Sequence, residues 1–235
     1  VGGKIAPANN RPMPDPNFQD RAVIFDMDGV LVLSGDAHFD SWRAVAAERG
    51  IVLTRHRFNE TFGRTNPDCI RMIFGDGIPE DEQREIAEAK EASYRDAIRG
   101  RVPLAPGAVE LLELLRSRGV KIAIGSSAPR ANLDQIVDEG GIRHYFGAIV
   151  DGSQVKQGKP APDVFLQAAI GLGVARALCT VVEDAPPGIE AALAAGMRAV
   201  GVATTHAESE LRAVGAHVTV KELIALVREP ASLGV

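Results

Sequence analysis

Basic charge is in deficit in this chain. Lys and Arg number 26 against 31 Asp and Glu, a formal net charge of −5. That balance argues against a nucleic-acid surface and suits an enzyme of small molecules. Cysteine is scarce. Cys69 and Cys179 are the only two, and neither lies in a metal-binding spacing. A disulfide framework is therefore excluded, and a reducing cytoplasm is the expected compartment. No apolar run approaches the length of a membrane span. Residues 1–20 show no apolar core of the signal-peptide kind. They carry Pro7, Pro12, Pro14 and Pro16 among polar neighbours and read as a flexible arm.

What is present is a short apolar run that ends in acids. Residues 22–30 read Ala-Val-Ile-Phe-Asp-Met-Asp-Gly-Val, the pattern of a buried strand. Period two starts Asp26 and Asp28 on one side of the chain, and Gly29 lets the backbone turn sharply. Two carboxylates there are costly unless a cation, a proton or hydrogen bonds compensate them. The expectation is a site for metal and phosphate.

Helical patterns follow at 38–49, 66–74 and 79–99, with no convincing strand between about 35 and 100. A break at 101–107 (Arg-Val-Pro-Leu-Ala-Pro-Gly) reads as a hinge or linker. Helices and strands then alternate, with strands at 120–124, 147–150, 178–182, 198–202 and 217–220. The alternation predicts an α/β fold: a Rossmann-like parallel sheet covered on both faces, with an inserted all-helical cap. The expected division is an arm at 1–20, a catalytic core at 21–34 and 101–235, and a helical cap at 35–100. The length, 235 residues, fits one core with a modest insertion.

Ligands of open α/β sheets bind outside the carboxyl ends of the strands. Those ends supply Asp26 and Asp28, Ser126 and Ser127, Lys159, and Glu183 with Asp184. Carboxylates suit a hard cation, and hydroxyl and ammonium donors suit phosphoryl oxygens. Taken singly each residue has a plainer reading: a solvated loop acid, a helix cap, a turn serine, a surface lysine. Their joint occurrence on one rim argues against those readings.

Four blocks in order, Asp26-Met27-Asp28-Gly29-Val30, Ser126, Lys159 and Glu183-Asp184, carry a resemblance. So do the runs Gly158-Lys-Pro-Ala-Pro-Asp-Val-Phe165 and Val182-Glu-Asp-Ala-Pro-Pro-Gly-Ile-Glu-Ala-Ala-Leu-Ala-Ala-Gly196. Over roughly 21–225 the chain resembles the haloacid dehalogenase-like superfamily, in its phosphatase and phosphomutase branch. The resemblance implies Mg²⁺ as cofactor and an aspartyl-phosphate on Asp26, with Asp28 as general acid and base. It implies metal ligation by Asp26, the backbone carbonyl of Asp28, and Asp184, with Glu183 direct or through water. Ser126 would donate to a phosphoryl oxygen, and Lys159 would neutralise Asp26.

For the cap, the resemblance implies roles toward the substrate. His38 aligns with a histidine of sugar-phosphate mutases that touches the acid–base Asp, or it is a plain helix-start residue. Asn66 stands where the mutases carry an arginine that grips a second phosphate; Arg64 is its substitute or a solvated charge. Lys90 and Tyr94 match a cap pair of the mutases, or are a surface lysine beside a half-buried tyrosine. After the second block, Ala128, Pro129 and Arg130 replace the mutases' usual Ser, basic residue and Asn, leaving Ser127 and Arg130 as candidate contacts. Leu33-Ser34 departs from the Asp-Ser of many relatives. The implied function is a Mg²⁺-dependent phosphatase of a small phosphorylated metabolite, a sugar phosphate by preference, with β-phosphoglucomutase-like isomerisation as the alternative. The expected partners are that metabolite alone, without nucleic acid or membrane, in a cytoplasmic monomer or small homo-oligomer.

Overall fold

The computed structural model describes residues 19–235, so the expected arm lies almost wholly outside the described residues. The element order is β1 (Ala22–Phe25), α1 (Gly35–Glu48), α2 (Arg55–Asn59), α3 (Asn66–Phe74), α4 (Glu80–Ile98), α5 (Ala108–Ser117) and β2 (Lys121–Gly125). It continues with α6 (Arg130–Glu139), β3 (Ala148–Val150), α7 (Asp163–Leu172), β4 (Cys179–Glu183) and α8 (Pro186–Ala194). Last come β5 (Arg198–Val202), α9 (Glu208–Ala213), β6 (Val218–Val220) and α10 (Ile224–Arg228). Helices thus separate the strands throughout, as the alternation predicts.

The six strands form one parallel sheet in the order β3-β2-β1-β4-β5-β6. The chain leaves β1 toward β2 and β3, then returns to place β4 on the other side of β1. The β1–β4 boundary is therefore the switch point at which open sheets offer a crevice. The inner strands are buried on both faces by different sets of helices, while β3 and β6 at the edges are only partly buried. Val23 and Phe25 join Ile122, Ile124, Leu111 and Leu226 on one face. Ala22 and Ile24 join Phe165, Ala168 and Ile189 on the other. Period two along β1 produces this division, and burial on both sides explains why the inner strands read as unbroken apolar runs.

Between β1 and α5 lie helices α1 to α4, which enclose an apolar cluster of their own with Phe39, Trp42, Phe58, Ile70, Ile73 and Ile86. Helix α4 belongs to both regions. Its Ile86 lies in that cluster, while Tyr94 and Ile98 pack into the cluster under the sheet. No helix among the described residues is long and apolar enough to cross a membrane.

The first strand is shorter than the sequence suggests. It stops at Phe25, and the N–H groups of Val30, Leu31 and Val32 all turn back to the Met27 carbonyl. Gly29 makes this turn at φ +83, a conformation only glycine adopts without strain. Asp26 and Asp28 thus lie in the turn beyond the strand, not along it.

Candidate active site

Asp26 follows β1 directly, and its N–H donates to the Val182 carbonyl at 3.0 Å, which ties it to the end of β4. Lys159 reaches over from the segment before α7. Its ammonium donates to Asp26 Oδ1 at 2.7 Å and to Glu183 Oε1 at 2.7 Å. Lys159 is 1 % exposed and Glu183 and Asp184 are fully buried, so the charges are strongly coupled. The Glu183 Oε2 accepts the N–H groups of Asp184 and Ala185, both at 2.8 Å. Glu183 thus joins Lys159 to the loop entering α8, and its Oε1, with a single donor, keeps a lone pair.

Asp184 is different. Thr205 donates to its Oδ2, while its Oδ1 is buried without any partner. A Cβ on Gly29 would fall 1.9 Å from Asp184 Oδ2, so this glycine is what allows the carboxylate to approach the first block. Asp26, Glu183 and Asp184 each present an oxygen within 4.8 Å of the others. Three buried carboxylates face one ammonium here. Burial, with the Glu183 charge and against the pull of Lys159, pushes Asp26 up to about 7. Burial, with Glu183 and Asp26, pushes Asp184 well above the usual carboxylate range. An oxygen-rich, anion-excess pocket with one orphaned carboxylate oxygen fits a hard divalent cation.

Asp28 faces the helices instead. Its Oδ1 accepts from Ser34 Oγ at 2.6 Å, Tyr94 Oη at 3.0 Å and His38 Nε2 at 3.0 Å. Burial alone would raise this carboxyl, but His38, Ser34 and Lys90 outweigh it and hold it well below its ordinary value. Lys90 donates to His38 Nδ1 at 2.8 Å, so the ring proton sits on Nε2, directed at Asp28. The His38 and Tyr94 rings stack at 3.8 Å between centroids. His38 and Lys90 are buried and Tyr94 has no exposure, so Lys90 and Tyr94 are not a surface lysine beside a half-buried tyrosine.

Asp26, Asp28, His38 and Lys90 line a cleft of ≈ 490 Å³ of empty space that continues into solvent, together with Trp42, Phe62, Arg64, Asn66, Ser126 and Ser127. Ser126 is buried, and its Oγ accepts the Ala128 N–H at 3.1 Å. Ser127 Oγ donates to the Gly63 carbonyl at 3.0 Å, joining the two sides of the cleft. Arg64 has a buried Nε without a partner. Asn66 donates its amide to Glu91 at 2.9 Å. Arg130 is a correction to the expectation. It lies exposed on α6, outside the cleft lining, and pairs with Asp134 at 2.9 Å one helical turn along. Glu91, Asn132 and Thr205 were not foreseen. Nothing in local pattern marks them: Asn132 and Thr205 act on partners distant in sequence, and Glu91 joins its neighbour Lys90 to Asn66 and Asn132.

A haloacid dehalogenase-like hydrolase family model matches residues 21–196, and the chain belongs to that family. It is 36% identical over 189 residues to the β-phosphoglucomutase of Bacillus subtilis (strain 168), covering 77% of this chain and 83% of that one. It is 34% identical over 184 residues to the fructose-1-phosphate phosphatase YqaB of Escherichia coli (strain K12), covering 77% and 95%. The crystal structure of a β-phosphoglucomutase from Clostridium difficile superposes with a TM-score of 0.82 at 28% identity, covering 91% of this chain and 97% of that one.

Proposed function

We propose that the chain is a Mg²⁺-dependent phosphatase that acts on a small phosphorylated metabolite, a sugar phosphate in class, through an aspartyl-phosphate on Asp26. One observation carries the reading: Asp26 is held by Lys159 at 2.7 Å at the end of the central strand, beside an Asp184 oxygen that has no partner. Residues 35–100 act as the cap and the sheet as the core. Asp26, Asp184 and the Asp28 carbonyl, with Glu183 direct or through water, would hold Mg²⁺, which supplies charge neutralisation at the phosphoryl group when bound.

The protein's own steps follow from the contacts. Lys159 occupies Asp26 Oδ1 and orients the carboxylate, leaving Oδ2 to attack phosphorus. As the new O–P bond forms, the ester P–O bond breaks and the leaving oxygen takes a proton from Asp28. Asp28, again a carboxylate, then takes a proton from water as that water attacks the aspartyl-phosphate. Inorganic phosphate leaves and Asp26 is restored. Ser126 donates to the phosphoryl group, and the helices above exclude bulk water.

Isomerisation in the manner of a β-phosphoglucomutase is the second reading, favoured by the two relatives of that name and by the His38–Lys90 pair. A mutase must grip a bisphosphate in two orientations. Asn66 is a neutral amide already bonded to Glu91, which favours hydrolysis. A panel of phosphorylated sugars and polyols, scored for free phosphate and for isomerised product, tests the choice. Phosphate release abolished by Asp26→Asn and by chelation is the expected result. Glucose 6-phosphate formed from β-glucose 1-phosphate with little free phosphate would refute hydrolysis.

A further inference from the structure

Glu91 is 5 % exposed, on α4 next to Lys90, where three parts of the chain meet. Its Oε1 accepts from Lys90 Nζ at 2.8 Å and from Asn66 at the start of α3 at 2.9 Å. Its Oε2 accepts from Asn132 Nδ2 at 2.6 Å. Asn132 is fully buried on α6, the helix that follows the 126–128 loop, and its Oδ1 accepts from Arg95 at 3.0 Å. A continuous polar chain therefore runs from α6 of the core through Glu91 and Lys90 to His38 and Asp28. Each link is 3.0 Å or shorter.

We propose that Glu91 is a positioning residue for the acid–base carboxylate. It holds Lys90, Lys90 fixes the His38 tautomer, and His38 orients Asp28; Asn132 makes this placement depend on contact between α4 and α6. The inference rests on the phosphatase reading. Its physical basis is the poor stability value of such a pair. A buried lysine–glutamate pair can often be replaced by apolar residues without loss, so stability alone gives little reason to bury one in this cleft. Removing only the Glu91 charge leaves the Lys90 ammonium buried beside His38 without its ionic partner. The ammonium is then no longer held in place from the Glu91 side, which disturbs the Lys90–His38 bond and the tautomer it sets.

General acid assistance matters most when the leaving oxygen is basic. The full-length chain with Mg²⁺ is assayed for phosphate release from a series of aryl and alkyl phosphates of rising leaving-group basicity. Wild type, Glu91→Gln and Asn132→Ala are compared by kcat/KM, which reports the steps through cleavage of the ester bond. The loss in Glu91→Gln is expected to grow along the series, exceeding at the alkyl end the loss on 4-nitrophenyl phosphate by about tenfold or more. Asn132→Ala shifts the slope in the same direction by less. Equal loss across the series in both variants overturns the inference and makes Glu91 a structural pin. If circular dichroism shows that Glu91→Gln does not fold, Asn132→Ala decides by the same criterion. A wild type that releases no phosphate from any ester refutes the phosphatase reading itself, a result distinct from a uniform loss in the variants.

Discussion

Two helical glycines should respond in opposite directions to the same change. A Cβ at Gly188 would lie 1.8 Å from Glu183 Oε1 and 1.9 Å from its Cδ, where unstrained contacts require about 3.5–4.0 Å. The carboxylate, or helix α8, must withdraw by about 1.5 Å or more to restore such contacts. Glu183 accepts from Lys159 at 2.7 Å and from two backbone N–H groups at 2.8 Å, and this set cannot be kept through such a shift. Overpacking costs about 1–3 kcal/mol, and each hydrogen bond to a charged group is worth about 1.5–3 kcal/mol. With partial relief by helix movement, Gly188→Ala should destabilise the fold by about 3 kcal/mol. At about 2–4 °C per kcal/mol for a chain of this size, Tm falls by about 6–12 °C. At Gly35, in the first turn of α1, nothing lies within 4 Å of an added Cβ. Gly35→Ala should stabilise by about 0.4–1 kcal/mol by restricting the unfolded chain. Thermal unfolding followed by circular dichroism, at one pH and concentration, compares the two with wild type. Helix propensity alone predicts a gain at both sites. A Gly188→Ala chain melting within about 2 °C of wild type would refute the packing of Glu183 against α8.

Asp184→Asn should weaken Mg²⁺ binding by about tenfold or more, because the orphaned Oδ1 loses its charge; calorimetry on the folded variant reads this without turnover, and unchanged affinity would remove Asp184 from the metal set. Burial pushes the Cys69 thiol up to about 12 and the Cys179 thiol up to about 11. Neither should react with a disulfide reagent at neutral pH in the folded chain, and both should react in denaturant; rapid labelling of either thiol in the native state would contradict this.

The sheet was legible because its inner strands are buried on both faces. Cys179–Glu183 is buried at every position, and the run Leu178-Cys-Thr-Val-Val182 reads as mostly apolar. The same signal misled at the first strand. Val30, Leu31 and Val32 are fully buried but lie in a turn, since apolar residues report burial and not conformation. Helix α1 begins at Gly35, ahead of the expected 38; its N-cap Ser34 makes no side-chain cap bond and instead donates its hydroxyl to Asp28. Helix α2, at five residues, is too short for periodicity to reveal. The core site residues could be read because each stands just past a strand end or in a recognisable block. Glu91 could not, since it lies on a helix rich in acids, where one more glutamate reads as solvated surface.

Asp26 and Asp28 are two residues apart, yet they are served by different halves of the chain. The partners of Asp26 come from the sheet side, Lys159 across 133 residues and the end of β4. Those of Asp28 come from the turn before α1, from α1 and from α4, with Tyr94 66 residues away. Burial drives the first carboxyl up to about 7, while His38 and Ser34 overcome burial and drive the second down. Paired acids with opposed environments are how one site divides nucleophile from proton carrier. In this conformation Asp28 is ionised and saturated by three donors on one oxygen, a state suited to accept a proton and poor at giving one. Donation to a leaving oxygen requires that some of those donors let go. Two of the three sit on α1 and α4, so any shift of these helices against the sheet alters Asp28 while leaving the Asp26–Lys159 pair in place. On the proposed mechanism the proton carrier is thereby tied to the helices that border the cleft, and the nucleophile to the sheet.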